Sequence, residues 1–174
     1  MLRLLLLRHS KTERPEPGQR DRDRTLMARG RADAPLIGTY MGRHRLIPDL
    51  VLVSPAKRTL ETWELVETAL GKRPPVAQEE RIYNARTQML ADLVRETEDA
   101  GVLLMVGHNP GLHDLANELI GSGDTETREI LSEKLPTSGL VVIDFAFDHW
   151  SELHNSSGRL DRFVTPRTLG GSDD

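Results

Sequence analysis

The sequence predicts an α/β fold of three layers, a mostly parallel central sheet with helices on both faces, and three observations carry that expectation. Short apolar runs at residues 2–7, 50–53, 102–106 and 140–145 have the length and bulk of buried strands, too short for a membrane span. Between them lie stretches whose apolar residues recur at helical spacing. The alternation of strand and helix is the pattern of a parallel sheet covered on both faces.

The first strand, Leu2-Arg3-Leu4-Leu5-Leu6-Leu7, ends in Arg8-His9-Ser10. Ligands of open α/β sheets sit outside the carboxyl ends of the strands, so Arg8 and His9 stand at the mouth of a site. Residues 11–24 hold Pro15, Pro17, Gly18 and many charges, the composition of a loop, and this loop is expected to lie over the strand end. A helix follows over about residues 26–44, with Met27, Ala34, Ile37 and Met41 at helical spacing, Gly30 near its start and Pro35 expected to bend or reset it. The second strand leads into Ser54-Pro55, an N-cap and a first helical residue. A helix is therefore expected from about Ala56 to Leu70, with Gly71 as its stop. Arg58 falls in its first turn, where a cation works against the helix dipole; an anion to bind or a carboxylate to pair would account for it.

Pro74-Pro75-Val76-Ala77 reads as an extended connector, followed by Glu79-Glu80 and Ile82-Tyr83-Asn84. A helix over about residues 87–100 puts Leu90, Leu93, Val94 and Thr97 on one face and stops at Gly101. The third strand ends in Gly107-His108-Asn109-Pro110-Gly111, a small-residue loop that lets backbone approach a ligand, before a helix over residues 112–120. A loop at 121–124, a polar surface helix at 126–135, the fourth strand at 140–145, an antiparallel edge at 147–153 and a disordered tail over 170–174 complete the reading, with residues 1–169 as one domain.

The chain has 174 residues, enough to bury a sizeable core, and is 37% hydrophobic and 29% charged, a globular composition. A net charge of −4 and a pI near 5.9 give no overall attraction to nucleic acid or to an anionic membrane, so neither partner is expected and any anion site must be local. Cysteine is absent, which excludes disulfides and thiolate metal sites. The leucine-rich start stops at a charged pair without a small-residue cleavage site and is not read as a signal peptide; the cytoplasm is the expected compartment.

Three strand ends carry basic or imidazole residues: Arg8-His9, the Arg58 turn and His108. In parallel strands those ends share one sheet edge, so an acidic protein would hold a compact positive pocket. Phosphate is the natural ligand of two guanidinium forks, which match its oxygens and stay charged. No Walker loop or dinucleotide fingerprint is present, so side chains would cradle the anion. A neutral His9 could attack phosphorus in line and form a phosphohistidine, while Arg8, Arg58 and a protonated His108 stabilise charge on the equatorial oxygens. Glu80 is the nearest candidate by context for protonating a leaving oxygen. The scheme needs no metal and no cofactor. Asp21-Arg22-Asp23-Arg24-Thr25 also fits the D-x-D-x-T pattern of haloacid dehalogenase phosphatases, but that chemistry requires the motif directly after an apolar strand. Here it follows Pro17-Gly18-Gln19-Arg20, so the match reads as a coincidence of a charged loop.

At these residues the chain resembles the histidine phosphatase superfamily. The R-H motif of its first strand appears as Leu7-Arg8-His9-Ser10. Its D-x-x-R-x-L-x-x-x-G segment appears as Asp21 to Gly30, S-P-x-x-R-T as Ser54 to Thr59, and G-H as Gly107-His108. The short length, the Gly107 to Gly111 loop and Pro136-Thr137-Ser138-Gly139 are most similar to the SixA-type phosphohistidine phosphatases. The resemblance implies a phosphoglycerate mutase-like fold, His9 as phosphate acceptor, and Arg8, Arg58 and His108 as the phosphate pocket. The family often has Gly or Ala after R-H, where this chain has Ser10. Its general acid has no firm match here, which would favour phosphorus–nitrogen bonds over alkyl esters.

The preferred reading is therefore a metal-independent phosphohydrolase acting on phosphohistidine in a protein. A small phosphomonoester as substrate and a non-catalytic phosphate-binding module are the alternatives; retention of both histidines with both arginines argues against the latter. Taken singly, Arg58 could instead pair with Glu61 on its helix and Glu80 could be a solvated carboxylate. His108 and His113 do not fit the zinc helix spacing, and His44, His149 and His154 read as surface residues.

Overall fold

The computed structural model describes residues 1–171. Seven strands form one sheet: β1 (Leu2–Arg8), β2 (Leu50–Val53), β3 (Val76–Gln78), β4 (Val102–Gly107), β5 (Ile120–Gly123), β6 (Leu140–Phe145) and β7 (Gly158–Val164), in the spatial order β3-β2-β4-β1-β6-β7-β5. β6 is the reversed strand, antiparallel to β1 and to β7; β1, β2, β3 and β4 run parallel, as do β5 and β7. Five helices flank the sheet: α1 (Ala28–Arg43), α2 (Lys57–Leu70), α3 (Thr87–Arg95), α4 (Gly111–Leu119) and α5 (Thr125–Glu133).

The leucine run of β1 is the centre of both cores. Successive strand residues point to opposite faces. Leu4 and Leu6 accordingly pack with Leu90, Leu112 and Leu115 in one apolar cluster, and Leu5 and Leu7 with Ile37, Met41, Trp63 and Val66 in the other. All four leucines are fully buried, which is why this strand reads as a continuous apolar run and not as an alternation.

Several boundaries differ from the sequence reading, each for a tertiary reason. α1 continues through Pro35 without a break. α2 begins at Lys57 with Ala56 as N-cap, the Ser54 hydroxyl accepting from the Ala56 amide; its end at Gly71 is as expected, with φ +75° in the left-handed region that glycine adopts without strain. The connector holds β3, an edge strand whose three residues are all exposed and so carry no apolar pattern. α3 stops at Arg95, whose Nε donates to the carbonyl of Leu153. Residues 147–153 are not a strand: Trp150 turns inward, donates Nε1–H to the Ala100 carbonyl at 2.7 Å and meets Phe145 edge on. On the side away from β1, β6 pairs instead with β7, antiparallel. The expected loop after α4 is β5, where Gly121 lies so close to the backbone of Ser156 that a Cβ would clash. Of the expected disordered tail, Gly170 and Gly171 close a hydrogen-bonded turn onto Arg167 and Pro166, while 172–174 lie outside the described residues.

Candidate active site

The parallel register places the three strand ends side by side. Arg8 stands opposite Gly107, the His9 amide donates to the Gly107 carbonyl, and the Ser54 amide donates to the Val106 carbonyl. His9 and His108 thereby face each other with ring centroids 5.5 Å apart.

His9 is 8% exposed. Its Nδ1 lies 2.8 Å from the Ser10 carbonyl, an acceptor only, so Nδ1 carries the proton and Nε2 the lone pair. Burial, followed by the neighbouring His108, Arg8 and Arg58, pushes the imidazole pKa down to about 3 against the pull of that carbonyl. The ring is neutral throughout the ordinary pH range. His108 binds the Ser54 hydroxyl through Nε2 at 2.7 Å, while its buried Nδ1 has no hydrogen-bond partner among the described residues. Burial and then Arg58 lower its pKa to about 4. With the pocket free of an anion, the desolvated ring beside two guanidiniums favours the neutral form.

The segment after β1 is fastened on both sides. The Ser10 amide donates to Thr62 Oγ1, which donates in turn to the Arg58 carbonyl. The Ser10 and Ser138 hydroxyls bond at 2.5 Å, both fully buried, and the Ser138 amide donates to the His9 carbonyl. Ser10 therefore supplies its carbonyl to His9 and turns its hydroxyl away onto Ser138. Arg8 Nη1 and Asn109 Nδ2 share the Leu135 carbonyl at 3.1 and 2.9 Å, tying the loop after β4 to the turn before β6.

Arg58, 6% exposed, gives Nη1 to the Asp21 carbonyl at 2.9 Å and Nη2 to Asp21 Oδ2 at 3.0 Å. The carboxylate proposed for a first-turn arginine is therefore Asp21 and not Glu61, which accepts from the Leu26 amide and Arg31. Asp21 also accepts from the Tyr83 hydroxyl and from Arg24, and these donors hold its carboxyl far below the usual carboxylate range, the tyrosine contributing most. Tyr83 meets His108 edge on at 5.7 Å and lies beneath the Arg22 guanidinium. The sequence reading placed Asp21 in a family segment without giving it a role, and gave none to Tyr83. The signal available was the unexplained cation at Arg58, but nothing in the sequence says which carboxylate, 37 residues away, answers it.

Glu80, the candidate proton donor, is engaged by Arg22. It opens a one-turn 3-10 segment, its side chain is 68% exposed, and both its oxygens bind Arg22. Lys57 is exposed. His113 bonds the Leu131 carbonyl and takes no part in the pocket. A cleft of about 410 Å³ leads off the pocket, with Arg58, His108, Ile82, Ala85 and Arg86 among its walls.

Two neutral imidazoles and two guanidiniums at one sheet edge make a site for an oxyanion, with an unprotonated ring nitrogen available as nucleophile. The chain belongs to the histidine phosphatase superfamily, whose branch 1 matches residues 4–86. It is 31% identical to a candidate phosphohistidine phosphatase SixA of Agrobacterium tumefaciens, with a TM-score of 0.81 over 95% of this chain and 98% of that one. An uncharacterised protein of Mycobacterium tuberculosis is 34% identical over 164 residues, covering 92% of this chain and all of its own length. The protein histidine phosphatase SixA solved with tungstate shares the fold at 20% identity and a TM-score of 0.73, over 97% of this chain and 99% of its own.

Proposed function

We propose that this protein is a metal-independent phosphatase that passes a phosphoryl group through His9 and acts on phosphohistidine in a protein. The observation that carries the reading is the His9 ring: the Ser10 carbonyl fixes the proton on Nδ1, burial keeps the ring neutral, and Nε2 is left with its lone pair beside His108. Arg8 and Arg58 supply fixed positive charge for the equatorial oxygens. The buried, partnerless Nδ1 of His108 is a further group that a phosphoryl oxygen would satisfy.

In the first step Nε2 of His9 attacks phosphorus and the bond to the leaving group breaks, the leaving atom taking the electron pair. In the second, water attacks the phosphohistidine and releases phosphate, the bond to Nε2 breaking and its electron pair returning to the ring. Asp21 is a poor proton donor, because its hydrogen-bond donors hold it ionised, and both oxygens of Glu80 are engaged by Arg22. A protonated imidazole leaves as a neutral base without a further proton, whereas an alkoxide needs one, and this favours phosphorus–nitrogen substrates. The cleft beside Arg58 and His108 favours a second reading, a small phosphorylated molecule.

Rapid quench with an activated aryl phosphate tests the chemistry. An acid-labile phosphate is expected on the peptide carrying His9 and is expected to vanish in His9→Ala. Steady turnover without that adduct would refute His9 as the nucleophile. Comparing a phosphohistidine peptide with an unactivated alkyl phosphate tests the substrate class; equal turnover would reject the nitrogen preference.

A further inference from the structure

One of the pocket's two guanidiniums is already gripped by a carboxylate. Arg58 bonds both the main chain and the side chain of Asp21 through its two terminal nitrogens. Asp21 is braced by the Tyr83 hydroxyl at 2.6 Å on the same oxygen and by Arg24 at 3.0 Å on the other. Tyr83 in turn leans edge on against His108. Asp21 thus joins an arginine and, through one tyrosine, a histidine of the site.

An ordinary surface ion pair does not explain this arrangement: although Asp21 is 48% exposed, the Arg58 side chain is only 8% exposed and is held at two points, the main-chain carbonyl and the carboxylate. Nor does the carboxylate help to bind an anion: a negative charge beside a bound phosphate opposes it. What it provides is direction. A guanidinium has five N–H donors in one plane; Asp21 occupies two, and the other three are left in a fixed orientation. Fixed donors stabilise a transition state more than a loosely held ground state, and only that difference raises kcat.

We infer that Asp21 is a positioning residue that clamps Arg58, with Tyr83 as brace, so that the remaining N–H groups meet the equatorial oxygens of the phosphoryl group in transfer, at the expense of affinity for bound phosphate. The inference rests on reading the pocket as a phosphoryl-transfer site. Removing the carboxylate adds one positive charge and leaves the guanidinium held by the main-chain carbonyl alone, so catalysis and phosphate affinity change in opposite directions.

The test compares full-length wild type, Asp21→Asn, Asp21→Glu and Tyr83→Phe. Aryl phosphate turnover gives kcat, and titration calorimetry with inorganic phosphate gives affinity. Asp21→Asn is expected to lower kcat about 10- to 100-fold while tightening phosphate about threefold or more. Asp21→Glu is expected to recover part of kcat, and Tyr83→Phe, which keeps the charge but loses the brace, to lower kcat about fivefold with phosphate affinity unchanged. Unchanged kcat in Asp21→Asn and Tyr83→Phe would overturn the clamp, and so would parallel loss of kcat and phosphate affinity, the signature of a merely structural role. Should Asp21→Asn fail to fold, Tyr83→Phe decides by the same split. Absence of turnover in the wild type would sink the phosphatase reading itself; tighter phosphate in Asp21→Asn would then still support the Asp21–Arg58 competition, and weaker phosphate would refute it.

Discussion

At the scale of single residues, protonation is decided by neighbours that the sequence does not place together. Titration of the imidazoles followed by nuclear magnetic resonance should find His9 and His108 neutral well below the pKa of 6.5 of a free histidine, with midpoints near about 3 and about 4. A midpoint near 6 for either ring would contradict the desolvation on which the nucleophile depends. The buried Ser10–Ser138 pair gives a second test. Either Ser→Ala change strands a buried hydroxyl and should cost about 1–3 kcal/mol in urea unfolding, while the double change should cost less than the sum. The identities of His9, Arg8, Arg58 and His108 were legible because strand ends of a parallel sheet share an edge. The pairing of Asp21 with Arg58 was not, because an exposed loop carboxylate carries no sequence mark of its partner.

At the scale of elements, the site depends on how closely the first loop approaches α1. A Cβ on Gly30 would lie 2.2 Å from the Lys11 carbonyl oxygen and 2.8 Å from its amide nitrogen, both main-chain atoms that cannot swing aside. Gly30→Ala should therefore push the 11–24 loop off α1, lowering stability by about 2 kcal/mol or more and reducing kcat through Asp21. Unaltered unfolding and turnover would show that the loop tolerates the shift. Ser54 shows how local rules yield to the site. Ser-Pro reads as a helix start, yet the Ser54 hydroxyl serves both the Ala56 amide and His108, and α2 begins at Lys57 with Ala56 as N-cap. β3 and β5 escaped notice because strands with exposed or glycine-rich residues carry no hydrophobic period.

For the whole molecule, the two buried neutral histidines couple folding to pH. The unfolded chain takes up protons on both as pH falls through about 6.5, whereas the folded chain does so only near about 4 and about 3. The unfolded state thus binds more protons in that window, and stability falls with falling pH at up to about 1.4 kcal/mol per unit for each histidine. Tm measured from neutral pH down to about pH 4.5 should drop accordingly. His9→Ala and His108→Ala should each flatten the slope, and a wild-type Tm independent of pH across the window would refute the coupling.

The sequence by itself determined the layer architecture, the central leucine strand and the convergence of Arg8, His9, Arg58 and His108. Each of these follows from period, strand length and the common direction of parallel strands, which are local or topological properties. The tertiary structure alone decided that β7 and not residues 147–153 pairs with β6, that Glu80 belongs to Arg22, that both imidazoles are neutral and that Asp21 grips Arg58. Those outcomes depend on burial and on contacts between residues far apart in the chain, and burial and distance exist only once the chain has folded.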